Sequence, residues 1–137
     1  MCIRDRFGDL LYEEGCRKLL EAGPSTAIVT LGSRGSVGMT AQDGFFRTES
    51  FHVPVRDTTG AGDVFHGAYI VGLLEGMDAP ECARFASAVS AIKCTCFGGR
   101  TGIPNRDTVQ RLSLIHISYK KDSSGTGQRS FETEGFL

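Results

Sequence analysis

The chain has 137 residues, and 15 Lys and Arg residues against 16 Asp and Glu residues give a formal net charge of −1. With 40% hydrophobic and 23% charged residues, the composition is that of a single globular domain and excludes a wholly disordered, collagen-like or strongly charged chain. The near-neutral charge argues against nucleic acid as a partner. No stretch approaches the roughly 20 apolar residues that cross a bilayer, and the N-terminus has no apolar secretory core. We therefore expect a cytoplasmic protein with no membrane partner.

The five cysteines form an odd set without a CxxC pair, whereas a secreted disulfide framework has an even set. We therefore expect free thiols. Cys94 and Cys96 resemble half of a metal site, but no second Cys or His pair stands at zinc-finger spacing. A structural role is the favoured interpretation for both.

Composition divides the chain into a short head (1–6), a well-patterned body (7–112) and a polar tail (113–137). The tail from Tyr119 is rich in Ser, Gly, Thr and charge, which predicts disorder. The head MCIRDR and the junction LSLIHIS resemble translated sequencing-adapter text, so both ends are expected to be non-native. The alternative that LSLIHI forms a terminal strand stays open.

The first half of the body predicts a helix followed by strands. Leucines and Cys16 at helical spacing, with Gly23-Pro24 as the stop, predict a helix over 9–22. The β-branched apolar run 26–31 suits a strand buried on both faces of a parallel sheet. Short runs at 36–40, 45–48 and 51–55, punctuated by Asp43-Gly44, are typical of hairpin strands.

The second half predicts helices. Residues 61–77 carry an apolar stripe, formed by Val64, Phe65, Ala68, Val71 and Leu74. Asp78, Pro80 and Glu81 then supply a cap, an early proline and a capping-box partner for a second helix, which ends before Gly98. Its predicted inner face is formed by Cys82, Phe85, Ala86, Val89 and Ile92. A last helix is expected over 104–112 with Asn105 as its cap, and the order of elements indicates an α/β fold.

The loop DTTGAGD (57–63) lies between a predicted strand and the helix that follows. Glycines let the backbone turn tightly, and the amides and dipole of a helix N-terminus attract anions. A dinucleotide-binding GxGxxG is disfavoured because Phe65 stands where the third glycine belongs. Asp63 at the mouth suits phosphoryl transfer, in which a carboxylate accepts the proton of the attacking hydroxyl. The alternative is that Asp63 only complements the helix dipole.

A second glycine-rich turn, TLGSRG, follows the first predicted strand at 30–35. It lacks the Lys-Ser/Thr ending of a Walker P-loop, so it is not a P-loop motif. Alone, it favours a simple turn at the end of a strand over a functional loop.

Three segments together resemble the ribokinase (PfkB) family of sugar kinases. DTTGAGDVFHGAY is similar to the C-terminal signature of that family, TLGSRG to its nucleotide-contacting turn, and the stretch from Lys93-Cys94-Thr95 through Gly98-Gly99-Arg100-Thr101-Gly102-Ile103-Pro104 to its closing segment. Other segments, such as RFASAVSAIKCT, are more similar to the sulfofructose-kinase-like and general sugar-kinase branches. The resemblance implies a ribokinase-like αβα sandwich, of the Rossmann-like kind, in which 7–112 is the C-terminal nucleotide-binding part.

The activity that the resemblance implies is ATP-dependent phosphorylation of a sugar hydroxyl, with ATP and a sugar as partners. Asp63 would be the catalytic base, and the backbone amides of Gly60, Ala61, Gly62 and Asp63 would form the anion hole. Mg²⁺ would accompany ATP. The nucleotide would contact Ser87 on the second long helix and the turn formed by Thr30, Leu31, Gly32, Ser33, Arg34 and Gly35. A monovalent cation, usually K⁺, would be held by Asp57, Thr59 and carbonyls near Lys93, Cys96 and Gly98.

Full members of that family run about twice this length, in line with the larger size range of single α/β domains. The chain would then be a C-terminal half that lacks the sugar-binding residues and the lid, is inactive alone and exposes an unpaired sheet edge. A homodimer is one expected state of the full-length protein. A non-catalytic nucleotide- or phosphate-binding module is the alternative function.

Overall fold

A computed structural model describes residues 9–112. The head at 1–6 and the segment from 113 onward, with the alternative strand LSLIHI, lie outside the described residues. The elements in chain order are α1 (Asp9–Glu21), β1 (Thr26–Thr30), β2 (Ser36–Thr40), β3 (Gly44–Thr48), α2 (Ala61–Leu74), α3 (Ala79–Lys93) and α4 (106–112). The predicted positions of α1 and of the first three strands are thereby confirmed to within a residue.

The three strands form an antiparallel sheet in the order β1-β2-β3. Thr30 pairs with Ser36 in the first hairpin, and Thr40 pairs with Gly44 in the second. The expected parallel pairing of β1 is therefore wrong for the part of the chain that the structure describes. The physical reason is the short connection over 31–35, because a parallel neighbour needs a crossover of a dozen or more residues.

Helices cover both faces of this sheet. Ala27 of β1 and Met39 of β2 pack with Cys16 of α1 on one face. Ile28 points to the other face, as the two-residue period of a strand requires, and packs against the cluster that contains Phe65 of α2 and Val89 of α3. The central strand β2 is buried throughout. Helix, sheet and helix pair form three layers, which confirms the predicted α/β class.

The capping box predicted for α3 is present. The Asp78 carboxylate accepts the Glu81 amide at 2.8 Å, and the Glu81 carboxylate accepts the Asp78 amide at 3.2 Å. Asn105 caps α4 in the same way, since its side-chain oxygen accepts the Thr108 amide at 3.0 Å. The starts of both helices were thus readable from local sequence.

The predicted inner face of α2 is partly wrong. Its buried residues are Phe65, Ala68 and Gly72, whereas Val71 and Leu74 are 42% and 83% exposed. The reason is that α2 packs against α3 on its glycine side. A Cβ built on Gly72 would lie 2.9 Å from the Cys82 sulfur, so the two helices are in close contact there.

The strand expected over 51–55 is also not observed, because these residues do not pair with any strand among residues 9–112. Pro54 has no amide hydrogen to donate to such a ladder. The segment instead places the Phe51 side chain in the core and leads toward the loop before α2.

The cysteines that the structure describes are free thiols, of which Cys16, Cys82 and Cys94 are buried. Burial raises the pKa of each of these three thiols. No helix within 9–112 has both the length and the apolar character needed to span a membrane.

Candidate active site

The loop over 57–63 is shaped by one aspartate and one glycine. The Asp57 carboxylate accepts the Thr59 amide at 2.9 Å, which forms a local turn. Gly60 then caps α2 in the left-handed region with φ +74, a conformation that glycine adopts without a steric penalty. The chain therefore enters α2 through a tight bend that brings the helix N-terminus to the surface.

Asp63 is the third residue of α2 and is exposed. The amides of Gly62 and Asp63 have no acceptor among residues 9–112, as expected for the first turn of a helix. The Ala61 amide differs, because it donates to the Thr58 carbonyl at 3.1 Å. The mouth of α2 thus presents a carboxylate beside two backbone donors.

The segment after α3 is bound to this loop. The Gly98 amide donates to the second oxygen of Asp57 at 2.8 Å. The Cys94 carbonyl accepts the amides of Arg56 and Asp57 at 2.8 and 3.2 Å. A Cβ built on Gly60 would lie 2.9 Å from the Gly99 carbonyl oxygen, so the two stretches of backbone are in direct contact.

These contacts also explain the acidity of Asp57. Its pKa is lowered to about 2, first by the Thr59 amide, then by the Gly98 amide, with a smaller contribution from the charge of Lys93. Hydrogen bonds to the ionised form favour that form. Asp57 is therefore a fixed negative charge that ties the loop to the closing segment.

Lys93 has a side-chain contact that the sequence analysis missed. The residue is 0% exposed, and its ammonium donates to the Asp57 carbonyl at 3.2 Å. Ser90 is a second such residue, since its hydroxyl donates to the Ala61 carbonyl at 2.9 Å. The available signal was the polar series Ser87, Ser90 and Lys93, three residues apart on an otherwise apolar helix face.

The remaining predicted residues are placed as follows. Cys96 packs against the closing segment, where a Cβ on Gly102 would lie 2.9 Å from its sulfur, and its amide donates to the Lys93 carbonyl at 3.1 Å. Ser87 is buried on α3. Among residues 9–112, no group of three or more His, Cys, Asp or Glu side chains is arranged to hold a metal ion.

The turn over 30–35 closes the first hairpin with one 3₁₀ turn at Gly32–Arg34. The Leu31 amide donates to the Gly35 carbonyl at 2.7 Å. Gly35 has φ +86, and a Cβ there would lie 1.9 Å from the Thr48 carbonyl oxygen, so only glycine fits. Ser33 and Arg34 are exposed at the tip of this turn.

Comparison with known proteins identifies the family of this chain. Residues 11–106 match the pfkB family of carbohydrate kinases. The chain is 37% identical over 89 residues to the ribokinase of Bacillus subtilis strain 168. This match covers 65% of this chain and 30% of that protein.

Solved structures of ribokinases have a similar fold. Ribokinase from Thermotoga maritima superposes with a TM-score of 0.69 at 36% identity, over 74% of this chain and 34% of that one. Arabidopsis thaliana ribokinase, complexed with ribose and ATP, superposes with a TM-score of 0.71 at 30% identity, over 77% of this chain and 34% of that one. These neighbours confirm the predicted ribokinase-like fold.

The matched residues of this chain span about a third of the length of these relatives. The family match, however, extends over most of the described residues, from α1 to the start of α4. The chain belongs to the pfkB family of carbohydrate kinases.

Proposed function

We propose that this chain forms the phosphoryl-transfer part of a kinase that uses ATP to phosphorylate a sugar hydroxyl, with Asp63 as the catalytic base. The observation that carries the proposal is the exposed Asp63 carboxylate beside the unbonded amides of Gly62 and Asp63 at the N-terminus of α2. The attack of a hydroxyl on a phosphoryl group requires a base and hydrogen-bond donors that stabilise negative charge, and both are present at this end of α2.

The chemistry follows from that arrangement. Asp63 accepts the proton of the sugar hydroxyl while the hydroxyl oxygen forms a bond to the γ-phosphorus of ATP. The bond between that phosphorus and the bridging oxygen breaks, and ADP leaves with this oxygen. Negative charge on the transferring group is stabilised by the amides of Gly62 and Asp63 and by the helix dipole. Mg²⁺ would accompany ATP and would supply positive charge to its phosphates.

The anion hole implied by the resemblance is refined by the hydrogen bonds of the loop. Gly60 supplies the bend, and Gly62 supplies a donor with open space above it, because a Cβ at that position would meet no atom within 4 Å. The Ala61 amide is engaged by Thr58. We therefore assign the anion contacts chiefly to the Gly62 and Asp63 amides.

The nucleotide contacts are proposed on the residues that the resemblance implies. The turn over 30–35 offers the exposed residues Ser33 and Arg34 next to the buried Gly35. Ser87 lies two turns before the C-terminus of α3. ATP would then extend between this turn and the mouth of α2, while the sugar is held by parts of the protein outside this chain.

An isosteric substitution tests the base. Asp63→Asn in the full-length protein keeps the helix but removes the proton acceptor, so we expect turnover to fall by about 10²-fold or more while ATP affinity changes little. The control is Asp107→Asn, an exposed aspartate in the first turn of α4, which should leave turnover unchanged. Normal turnover in Asp63→Asn would contradict the assignment of Asp63 as the base. A wild-type protein that binds ATP but transfers no phosphoryl group would instead support the non-catalytic nucleotide-binding module.

The residues expected to hold K⁺ fit that ion only in part. Asp57, Thr59 and Gly98 do lie together. Both carboxylate oxygens of Asp57, however, already accept backbone amides, and its carbonyl accepts the Lys93 ammonium. The expected cation site therefore contains a positive charge of its own, and K⁺ is not part of the proposed reaction.

A further inference from the structure

Lys93 ends α3 with its side chain fully buried, at 0% exposure. Burial of an ammonium group is costly unless it is paired and hydrogen-bonded. Its environment supplies a hydrogen bond and a favourable helix dipole. Its Nζ donates to the Asp57 carbonyl at 3.2 Å, and it lies at the C-terminus of a helix, where the dipole favours a cation.

The Lys93 ammonium interacts through space with the charge of the Asp57 carboxylate. That group is held by the amides of Thr59 and Gly98 at 2.9 and 2.8 Å, and the Lys93 charge lowers its pKa further. The carboxylate and the ammonium therefore attract each other at the base of the loop that leads into α2. Backbone amides before and after α3 hold the Asp57 carboxylate in place, and the Asp57 carbonyl holds the Lys93 ammonium.

An alkylammonium and a monovalent metal ion prefer similar ligands, namely carbonyl and carboxylate oxygens. The oxygens near Lys93 and Asp57 are those on which a K⁺ ion would depend. Two positive charges on the same few oxygens repel each other strongly where water is excluded. A buried ammonium at this place thus competes with K⁺ for its site.

We propose that the Lys93 ammonium is the resident cation of the loop over 57–63, so that ATP binding and turnover in this kinase need no K⁺. This inference rests on the proposed function, because it concerns the same anion loop. Lys93 acts as a positioning residue: it holds the Asp57 backbone and thereby the bend at Gly60, and it adds positive charge beneath the phosphate site. A purely structural lysine would not make the protein independent of K⁺.

The test compares salts of equal ionic strength. Turnover and Mg-ATP affinity of the full-length protein are measured in potassium chloride and in choline chloride, whose cation is too large for the site. We expect the wild type to differ by less than about twofold between the two salts. Lys93→Met, which keeps the aliphatic stem, should lose about tenfold or more in kcat/KM in choline and regain part of it in K⁺ or methylammonium.

The matched control is Lys18→Met, at an exposed lysine on α1 that pairs with Glu14, and it should behave as the wild type in every salt. A wild type that K⁺ activates about tenfold or more would overturn the inference, because the resident cation would then be a metal ion. Full activity of Lys93→Met in choline would overturn it as well. If Lys93→Met does not fold, the comparison of the wild type in the two salts decides alone.

A failure of the proposed function is distinguishable from a failure of this inference. A wild type that binds no Mg-ATP in either salt contradicts the proposed function. The thermal unfolding midpoint then still tests Lys93, because a bound ion raises that midpoint. Equal midpoints in potassium and choline chloride would support a resident ammonium, whereas a midpoint higher in potassium would overturn it.

Discussion

The carboxylate of Asp57 accepts a hydrogen bond from the backbone amide of Gly98 at 2.8 Å, across 41 positions of sequence. The other oxygen of the same carboxylate accepts the Thr59 amide. One side chain therefore fixes both the turn that enters α2 and the segment that follows α3. Because an ionised acceptor makes the stronger hydrogen bond, the geometry of the site depends on the charge of Asp57.

The first prediction concerns pH. The pKa of Asp57 is lowered from 3.8 to about 2 in the folded protein, with the Thr59 amide as the main cause. Since the folded value lies below the ordinary one, the contribution of Asp57 to stability is fully present above 3.8 and is lost as pH falls through about 2. We expect the amide resonances of Thr59 and Gly98 to stay constant from neutral pH to about 4 and to move only below it. An NMR titration with a midpoint at the ordinary value would contradict this assignment.

The second prediction concerns phosphate binding. Gly62 has open space at its Cβ position and lies in the first turn of α2, so Gly62→Val should fold. The new side chain would occupy the space above the Gly62 and Asp63 amides, and we expect Mg-ATP affinity to fall by about tenfold or more, as binding at a helix N-terminus needs close approach to the backbone. Isothermal titration calorimetry measures the change.

Gly67→Val is the matched control for that substitution. Gly67 is exposed on the same helix and also has no atom within 4 Å of a built Cβ. It lies beyond the first turn, so its variant should bind Mg-ATP as the wild type does. Equal affinity in both variants would exclude the Gly62 amide from the anion site.

The third prediction separates stability from function. Asp78→Ala removes the acceptor of the Glu81 amide at the start of α3 and should lower the free energy of unfolding by about 1 kcal/mol. Lys93 and the site lie at the opposite end of this helix, so Mg-ATP affinity should not change. Glu81→Gln keeps an acceptor for the Asp78 amide and should unfold close to the wild type. Denaturant unfolding followed by circular dichroism checks both variants.

That capping box shows which features local sequence predicts. Asp78, Glu81 and Asn105 act on amides three residues away, so their helix starts follow from short-range chemistry. The mouth of α2 was predictable for the same reason, since the Gly60 bend and Asp63 lie within one turn of each other. The roles of Asp63, Ser87 and the turn over 30–35 in binding and catalysis stay predictions.

Features that depend on distant partners were not predictable. The exposed face of α2 follows from its contact with α3 at Gly72 and Cys82, and the apolar pattern of α2 alone does not identify that side. In the sequence, Lys93 is typical of an exposed polar residue at the end of a helix. Its burial depends on Asp57, which lies 36 positions earlier. The antiparallel pairing of β1 is the exception, because the five-residue connection to β2 already excluded a parallel crossover.

The last prediction tests the contact between the Gly60 bend and the closing segment. Gly60→Ala places a Cβ on a residue with φ +74, 2.9 Å from the Gly99 carbonyl oxygen. Gly76→Ala is the matched control, since Gly76 has φ +79 but no atom within 4 Å of a Cβ. The left-handed backbone should cost each variant about 1–2 kcal/mol, and the clash with Gly99 should add to that cost in Gly60→Ala alone. Because Gly99 must then move away from the loop, Mg-ATP affinity should fall in Gly60→Ala and not in Gly76→Ala. Equal unfolding midpoints and equal affinities for the two variants would show that the closing segment does not support the mouth of α2.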